Sequence, residues 1–291
     1  MNARMLFCLA LLGWACGHAP DQRNQEVPLE EDLFFGGKKI SFIEDRRLEE
    51  ASGLESSETN PGMLWSHNDS GDEARIFLVD TSGVIVLEVK LAGIESFDWE
   101  DMTLGNGFIY IADIGDNEAV RKEVYIHRIA EPVFDGADTL TVPKEQVATM
   151  TIQYEEGPRD AETLLFDPVN EQLLIVTKRE ANCLVYGFPF QDSTGPIRLK
   201  SAGTLPLTKF TAGDIHTNGE ILLKNYEAVF YWETGEEPAI HRILEGPAYR
   251  IPYAVEPQGE AICWSPGGSF FTLSEFNENT RQFIYYYRRL D

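Results

Sequence analysis

The chain has 291 residues, of which 24 are Lys or Arg and 48 are Asp or Glu, for a net charge of −24. This excess of acid argues against nucleic acid and anionic membrane surfaces as partners, because both are recognised through basic patches. The apolar fraction of 43% is ordinary for a soluble globular protein, and a chain of this length buries a core without disulfides or metals.

The N-terminus has the pattern of an export signal. Arg4 provides a short positive region, and residues 5–12 are almost wholly apolar but too few to span a bilayer. Ala15-Cys16 follows, and a small residue before a Cys at this point resembles the cleavage site of bacterial lipoproteins. We therefore predict a signal peptide over residues 1–15 and acylation of Cys16, with a plain secretory signal as the alternative. The protein would then be an exported bacterial membrane lipoprotein on the periplasmic or cell-surface side.

Residues 16–36 are predicted to form a flexible tether. The segment is polar, contains Pro20 and Pro28, and carries an acidic run at 30–32 without any apolar periodicity. It would hold a single folded domain, residues 37–291, away from the membrane. Contact with the membrane would then be made only through the lipid anchor.

The folded domain is predicted to be all-β. Short runs rich in Val, Ile, Tyr and Phe recur after residue 36 and are bounded by Gly, Asp, Asn and Pro. A small or acidic residue followed two places later by a hydrophobic one recurs at intervals of roughly 50 residues. The units begin near residues 50, 96, 158, 209 and 256. Most units contain four readable strands, which is the layout of a β-propeller blade.

These units predict a five-bladed β-propeller of four-stranded blades, and six blades is the alternative if one unit conceals a further small sheet. The longest unit contains an insertion near residues 131–145. The last unit has three strands, and an orphan strand at 38–44 precedes the first unit. If this N-terminal strand completes the last blade, the two ends of the chain close the ring and remove an exposed sheet edge.

Several segments within the units carry a further pattern. They are Ser52-Gly-Leu54, Leu64-Trp-Ser-His-Asn-Asp-Ser-Gly71, Asp98-Trp-Glu-Asp-Met102, Ile109-Tyr-Ile-Ala-Asp-Ile-Gly-Asp-Asn117, Arg159-Asp-Ala-Glu-Thr-Leu164 and Gln258-Gly-Glu-Ala-Ile262. Together they resemble a group of bacterial exported propellers near the SdiA-regulated and phytase-like, or esterase-like, propeller families. The resemblance covers roughly residues 50–290 and implies a propeller. It identifies no substrate, because fold alone does not fix function.

One mouth of the propeller channel is the predicted functional site. There the inner strands start, on the same face as the loops between the second and third strands of each blade. The ligand-binding candidates from those loops are His67, Asn68, Asp69, Asp113, Asp116, Asn117, Lys178, Arg179, Lys224, Tyr226 and Glu275. The candidate metal ligands near the inner-strand starts are Glu100, Asp101, Glu162, Asp214 and Glu260. Carboxylates suit a hard cation such as Ca²⁺, and the Lys and Arg side chains suit an anionic part of a ligand.

Structural roles are also open to these side chains. The inner-strand glutamates are able to accept backbone N–H groups of the neighbouring blade, and the loop Asp and Asn residues are able to satisfy turn backbone. His67 suits a structural hydrogen bond, and Lys178 with Arg179 suits a solvated pair.

Two functions therefore remain open. Metalloprotease, serine-hydrolase, P-loop and dinucleotide motifs do not occur in the sequence, so no nucleophile or base is identified. The preferred function is a monomeric, lipid-anchored propeller that binds a protein, a glycan or a small molecule at one channel mouth, without catalysis. The alternative is a metal-dependent, Ca²⁺-type hydrolase of phosphoester or lactone substrates, which the acidic ring beside Lys and Arg favours.

Overall fold

The computed structural model describes residues 26–192 and 195–290. The predicted signal peptide, Cys16 and the first part of the predicted tether lie outside these residues and stay predictions. Within the described ranges, no helix has the length and apolarity that crossing a membrane requires.

The described residues form twenty-two strands. The first eleven are β1 (Lys38–Ile43), β2 (Ala51–Ser56), β3 (Met63–Asn68), β4 (Arg75–Asp80), β5 (Ile85–Leu91), β6 (Trp99–Gly105), β7 (Phe108–Asp113), β8 (Val124–Ala130), β9 (Thr139–Val142), β10 (Ala148–Tyr154) and β11 (Ala161–Asp167). The others are β12 (Gln172–Thr177), β13 (Cys183–Phe188), β14 (Ile197–Leu199), β15 (Gly203–Leu205), β16 (Phe210–Ile215), β17 (Ile221–Asn225), β18 (Val229–Trp232), β19 (Tyr249–Ile251), β20 (Gly259–Trp264), β21 (Phe270–Ser274) and β22 (Gln282–Tyr287). One short helix, α1 (Ala239–Glu245), follows β18, and 3-10 turns occupy Arg46–Leu48 and Lys144–Gln146.

The strands form five sheets, and the protein is a five-bladed β-propeller, which confirms the predicted fold. From the channel outwards, the blades are β2-β3-β4-β5, β6-β7-β8-β10, β11-β12-β13-β15, β16-β17-β18-β19 and β20-β21-β22-β1, numbered 1 to 5. The inner strands β2, β6, β11, β16 and β20 contact one another in turn and so enclose the channel. Their first residues lie within three positions of the unit starts predicted from the repeat.

The ring is closed by the N-terminal strand, as predicted. β1 pairs antiparallel with β22, with Phe42 opposite Phe283 and Ile43 opposite Gln282. Ile43 is buried in the apolar cluster between blades 5 and 1. The last blade therefore takes its outer strand from the start of the domain, and its edge is not left open.

Two blades have a fifth strand that belongs to the next unit of the chain. β9 pairs parallel with β5 on the outside of blade 1, and β14 pairs parallel with β10 on the outside of blade 2. The insertion predicted near residues 131–145 contains β9, so it extends the preceding blade rather than its own.

Residues 28–36, which the sequence places in the tether, pack against blades 4 and 5. Arg250 N donates to Pro28 O over 2.7 Å, and Leu290 N donates to Leu33 O over 2.9 Å. Phe34 is 1% exposed and packs against the rings of Tyr231, Trp264 and Phe270. The folded body therefore starts before residue 37, because Phe34 fills a hydrophobic site at the interface of these two blades.

Each of the five interfaces between neighbouring blades has its own apolar cluster. Trp65 and Met102, for example, join blades 1 and 2, and Phe230 and Leu174 join blades 3 and 4. These side chains are fully buried. Burial of one large apolar side chain contributes about 1.5–3 kcal/mol, so the interfaces hold the ring together.

Three buried carboxylates add a polar contact between blades. The backbone N–H of Leu104 donates to Glu55 over 3.3 Å, that of Leu164 to Asp101 over 3.0 Å, and that of Trp264 to Asp214 over 2.6 Å. In each case a carboxylate on one inner strand accepts an N–H group from the inner strand of the next blade. We call Glu55, Asp101 and Asp214 the locking carboxylates.

Candidate functional site

Every inner strand has an irregularity near its start. The register between the first and second strands of the blades shifts between Ala51 and Leu54, Trp99 and Asp101, Ala161 and Thr163, Phe210 and Ala212, and Gly259 and Ala261. Such a β-bulge inserts an extra residue and re-aims its side chain. The inserted residues include Glu100, Glu162, Thr211 and Glu260, so these four occupy equivalent positions around the mouth of the channel.

Carboxyl groups gather at this mouth in three overlapping groups. The oxygens of Asp69, Asp98 and Glu100 lie within 4.8 Å of one another. Glu100 also forms such a group with Asp160 and Glu162, and Asp69 with Glu260 and Glu275. We call the full set the acidic mouth: Asp69, Asp98, Glu100, Asp160, Glu162, Glu260 and Glu275.

One half of the acidic mouth is made of Asp69, Asp98 and Glu100, which we call the acidic trio. Within residues 26–192 and 195–290, no Lys or Arg forms an ion pair with these three groups. Glu100 is 3% exposed, and burial, together with the charges of Glu162 and Asp69, raises its pKa well above the usual range. Burial likewise raises the pKa of Asp69 to about 7.

The close approach within the acidic trio depends on Gly115. This residue follows β7 and lies against the trio, and a Cβ there would be 2.5 Å from Asp98 Oδ2. It would also collide with the Glu100 carboxyl group. The Ile-Gly-Asp segment noted in the sequence thus provides the space in which these two acids meet.

The other half of the acidic mouth contains a hydrogen-bonded chain. Lys178 Nζ donates to Glu162 and, over 3.1 Å, to Tyr226 Oη, while Tyr226 donates to Glu260. Burial lowers the pKa of Lys178, but Glu162 and Glu260 outweigh this effect, so that the lysine stays charged. Burial raises the pKa of Glu162 to about 8, although Lys178 acts in the opposite direction.

Arg179 closes the rim between blades 2 and 3. Its guanidinium donates to Asp160 and to the side chain of Asn117. Asp160 also accepts the backbone N–H of Asp116 over 2.9 Å. Asp116 in turn accepts the backbone N–H groups of residues 120 and 121, so it holds its own turn and has the structural role considered for it.

Thr211 is a member of the site that the sequence did not indicate. Its position in β16 is equivalent to those of Glu162 and Glu260, and β16 lies between the strands that carry them. The side chain is 1% exposed, and its hydroxyl has no hydrogen-bond partner among the described residues. A buried hydroxyl without a partner is costly, so Thr211 is a polar group that the described residues leave unsatisfied.

Two of the predicted metal ligands do not lie at the mouth. Asp101 and Asp214 are locking carboxylates, and Asp101 also accepts the N–H of Met102 over 2.9 Å. The role in joining blades, considered for Glu100, Glu162 and Glu260, thus falls to these two and to Glu55. In a regular strand, side chains alternate between the two faces of the sheet. The bulge at Glu100 interrupts this alternation, so the face on which Asp101 lies does not follow from its position in the strand.

Three of the predicted loop residues, His67, Asn68 and Asp113, form polar contacts that hold the loops next to the site. His67 Nδ1 lies 2.8 Å from Asn68 O, and burial lowers the pKa of His67 to about 4, which leaves it neutral. Asn68 donates to Arg47 O over 2.7 Å. Asp113 pairs with Arg121 at 2.6 Å and also accepts the backbone N–H groups of residues 97 and 98, which fixes the loop that carries Asp98.

Lys224 and Glu275 border the mouth on the side of blades 4 and 5. Lys224 is fully buried, donates to Gly259 O, and has a pKa lowered to about 8 by burial. Glu275 accepts a hydrogen bond from Gln258 over 2.5 Å. Burial and the charges of Glu260 and Asp69 raise the pKa of Glu275 to about 8.

No family model matches the chain, and no curated protein matches it. Solved structures with a similar fold include the PQQ-bound aldose sugar dehydrogenase of Streptomyces coelicolor, with 9% identity, a TM-score of 0.49, and coverage of 86% of this chain and 97% of that one. A gluconolactonase from Xanthomonas campestris has 10% identity, a TM-score of 0.49, and coverage of 90% and 97%. A chain of a nidogen/laminin complex has 10% identity, a TM-score of 0.46, and coverage of 83% and 84%.

These identities and TM-scores are too low to transfer a site or a function to this chain. The protein is therefore defined by its own geometry as a five-bladed β-propeller with an acidic channel mouth. Its resemblance to the SdiA-regulated and phytase-like families stays a prediction from the sequence.

Proposed function

We propose that the protein is a binding propeller that holds a divalent cation of the Ca²⁺ type in the acidic mouth, and through it a small ligand. The observation that carries this proposal is the acidic trio, Asp69, Asp98 and Glu100. Its carboxylate oxygens lie within 4.8 Å of one another without a Lys or Arg in an ion pair with them, among the residues described. The export signal and the acyl anchor at Cys16 stay predictions from the sequence.

The spacing of the trio suits this ion. Oxygen ligands about 2.4 Å from a central Ca²⁺ lie at most about 4.8 Å apart. Without a cation, burial and, to a lesser extent, the mutual repulsion of the three carboxylates raise their pKa values. Ca²⁺ takes 6–8 oxygen ligands, so three carboxylates leave coordination positions for a ligand that approaches through the mouth.

The other half of the mouth fits a contact surface for that ligand. Lys178 and Tyr226 are held by Glu162 and Glu260, so their donors are fixed in direction. Fixed polar groups beside an open coordination site are the usual arrangement of a specific small-molecule site.

The test is a titration of the protein with Ca²⁺, after chelation, followed by thermal unfolding and calorimetry. We expect binding to raise the melting temperature, with a gain of about 2.7 kcal/mol at a hundredfold excess over the Kd. The double variant Asp98→Asn, Glu100→Gln should lose the response. A control with the same charge change at exposed positions, Glu155→Gln, Glu236→Gln, should keep it. A wild-type protein that does not respond to Ca²⁺ would contradict the proposal.

A metal-dependent hydrolase of phosphoesters or lactones is the second candidate. It is favoured by the acids of the mouth that titrate near neutrality, Glu162 and Glu275, since a general base works best with a pKa near the operating pH. Turnover of such substrates that needs Ca²⁺, and that is lost in Glu162→Gln while Ca²⁺ still binds, would establish this activity over simple binding.

A further inference from the structure

A groove runs outward from the acidic trio along the top of blade 2. Asp98 forms its inner end, and the loop residues 120–123 form one wall. Phe97, Tyr125 and Gln153 complete it, and the cavity measures about 670 Å³. We call it the blade 2 groove. It continues the mouth directly, because Asp98 belongs to both.

The groove has an exposed aromatic surface. Phe97 is 53% exposed and Val120 is 69% exposed. The rings of Phe97 and Tyr125 have centroids 6.1 Å apart with planes inclined by 30°, so they form one shallow platform. Large apolar side chains in this exposed state next to a polar cavity mark a place where a ligand binds.

The charges around the platform disfavour an anionic ligand. Arg121, beside Phe97, is paired with Asp113 at 2.6 Å and donates to Gly115 O over 2.6 Å. Lys178 and Arg179 are each paired with a carboxylate of the mouth. Lys122 also lines the groove, and its side chain is exposed to solvent, which screens its charge. With one divalent cation bound, the three carboxylates of the trio still leave a net negative charge at this end of the groove, which favours a neutral ligand over a phosphate or a carboxylate.

We propose that the blade 2 groove and the acidic trio together bind a neutral carbohydrate. Sugar hydroxyl groups would complete the coordination of the cation, and the apolar C–H face of a sugar ring would lie on Phe97 and Tyr125. This inference rests on the proposed function, because it needs the cation in the trio. It adds a ligand class and makes Phe97 the residue that determines specificity.

The physical reason is that a carbohydrate has both surfaces that the site offers. Neighbouring hydroxyl oxygens are neutral ligands of the kind that Ca²⁺ accepts alongside carboxylates. A ring with several axial hydrogens on one face buries apolar area on an aromatic side chain and makes weak C–H contacts with it. Neither surface calls for a free positive charge.

The experiment is binding of the protein to an array of immobilised neutral glycans and of sulfated, phosphorylated and uronic-acid glycans, in millimolar Ca²⁺ and with chelator. The matched variants are Phe97→Ala and Phe35→Ala, since Phe35 is an aromatic side chain of similar exposure, 48%, on blade 5's side of the ring. We expect neutral glycans to bind in Ca²⁺ only. Phe97→Ala should weaken this binding roughly tenfold, with Ca²⁺ affinity unchanged, while Phe35→Ala should not.

The outcomes separate this inference from the proposed function. If the protein binds Ca²⁺ but retains only anionic glycans, or none, the carbohydrate inference is overturned and the cation site stands. If glycan binding is equal in Phe97→Ala and wild type, the groove is not the contact surface and the inference is again overturned. If no Ca²⁺ binds in the absence of glycans, the proposed function fails first, and any glycan binding would have another basis.

Discussion

The inner strands provide acids both to the acidic mouth and to the set of locking carboxylates, with opposite results. Glu100 lies at the mouth, buried and without an ion-pair partner among the described residues, whereas Asp101, the next residue, accepts two backbone N–H groups. Glu260 lies at the mouth and bonds to a tyrosine, whereas Asp214 accepts a backbone N–H from the neighbouring blade. Acids on the inner strands thus differ in whether a backbone N–H group of the next blade satisfies them.

The difference shows what decides the role of a buried acid in this ring. A locking carboxylate follows the bulge and meets backbone donors of the next blade. Glu100, Glu162 and Glu260 of the mouth are at the bulges, where the strand is turned away from its partner and few backbone donors are within reach. The fold therefore pairs the locking carboxylates with backbone N–H groups, whereas Glu162 and Glu260 bond to side chains and Glu100 has no ion-pair partner among the described residues.

The largest expected contrast comes from alanine at adjacent positions. Asp101→Ala leaves the N–H groups of Met102 and Leu164 buried without an acceptor, and we expect a loss of about 2–4 kcal/mol in the free energy of unfolding. Glu100→Ala removes an acid that accepts no backbone N–H group. Without metal, we therefore expect the free energy of unfolding to fall by less than about 1 kcal/mol or to rise. Urea unfolding with chelator present measures both. Equal losses would show that the two acids do not differ in role.

The raised pKa values in the acidic mouth should make the free energy of unfolding depend on pH. Asp69, Glu162 and Glu275 have pKa values raised to about 7, 8 and 8, so from about pH 4 to pH 8 the folded state binds more protons than the unfolded state. Their contribution to stability is thus present in acid and lost as the pH rises through the folded pKa values.

Urea unfolding at several pH values between 5 and 8.5, with chelator, tests this sign. We expect the free energy of unfolding to fall over that range in the free protein. Saturating Ca²⁺ should reduce the fall, because the ion binds the deprotonated carboxylates. Glu275→Gln should also make the profile flatter. A free energy that rises with pH across this window would contradict the prediction, because the locking carboxylates also have raised pKa values and act in the same direction.

The smallest expected effect concerns the hydroxyl groups at the bulges. Thr211→Val removes a buried hydroxyl without a partner among the described residues and keeps the shape, so we expect a gain of up to about 1 kcal/mol without metal. Ser52→Ala should instead lose stability, because Ser52 donates to Glu100 O. If Ca²⁺ affinity drops in Thr211→Val, the hydroxyl belongs to the cation site. A loss of stability in Thr211→Val without metal would mean that the hydroxyl is satisfied in the free protein.

The sequence predicted the fold well because the repeat in the sequence lies close to the start of each inner strand. Starts predicted near residues 50, 96, 158, 209 and 256 correspond to inner strands that begin at Ala51, Trp99, Ala161, Phe210 and Gly259. The recurring small or acidic residue coincides with four of the five bulges, and in the fourth unit it lies two residues after the bulge at Thr211, so the spacing read from the sequence is close to that of a structural feature. Ring closure by β1 followed because the last unit lacked a strand.

The sequence was less informative about the site. It could not separate Glu100 from Asp101, because a bulge breaks the alternation on which the side of a strand is judged. Thr211 gave no chemical signal, and only its equivalence to Glu162 and Glu260 in the repeat could have found it. Phe97 lies in the loop before β6, and Tyr125 lies in β8. No local pattern in the sequence indicates that these two rings form a platform.

The pairing of β1 with β22 has a consequence for the order in which the protein is built. Synthesis delivers β1 before every blade, yet its partner β22 follows all the other strands of the propeller in the chain. Blades 1 to 4 are able to form and stack as they emerge, but closure of the ring waits for β22. A product that stops before β22 is therefore an open arc with two exposed edges, which a cellular protease is able to distinguish from the closed ring.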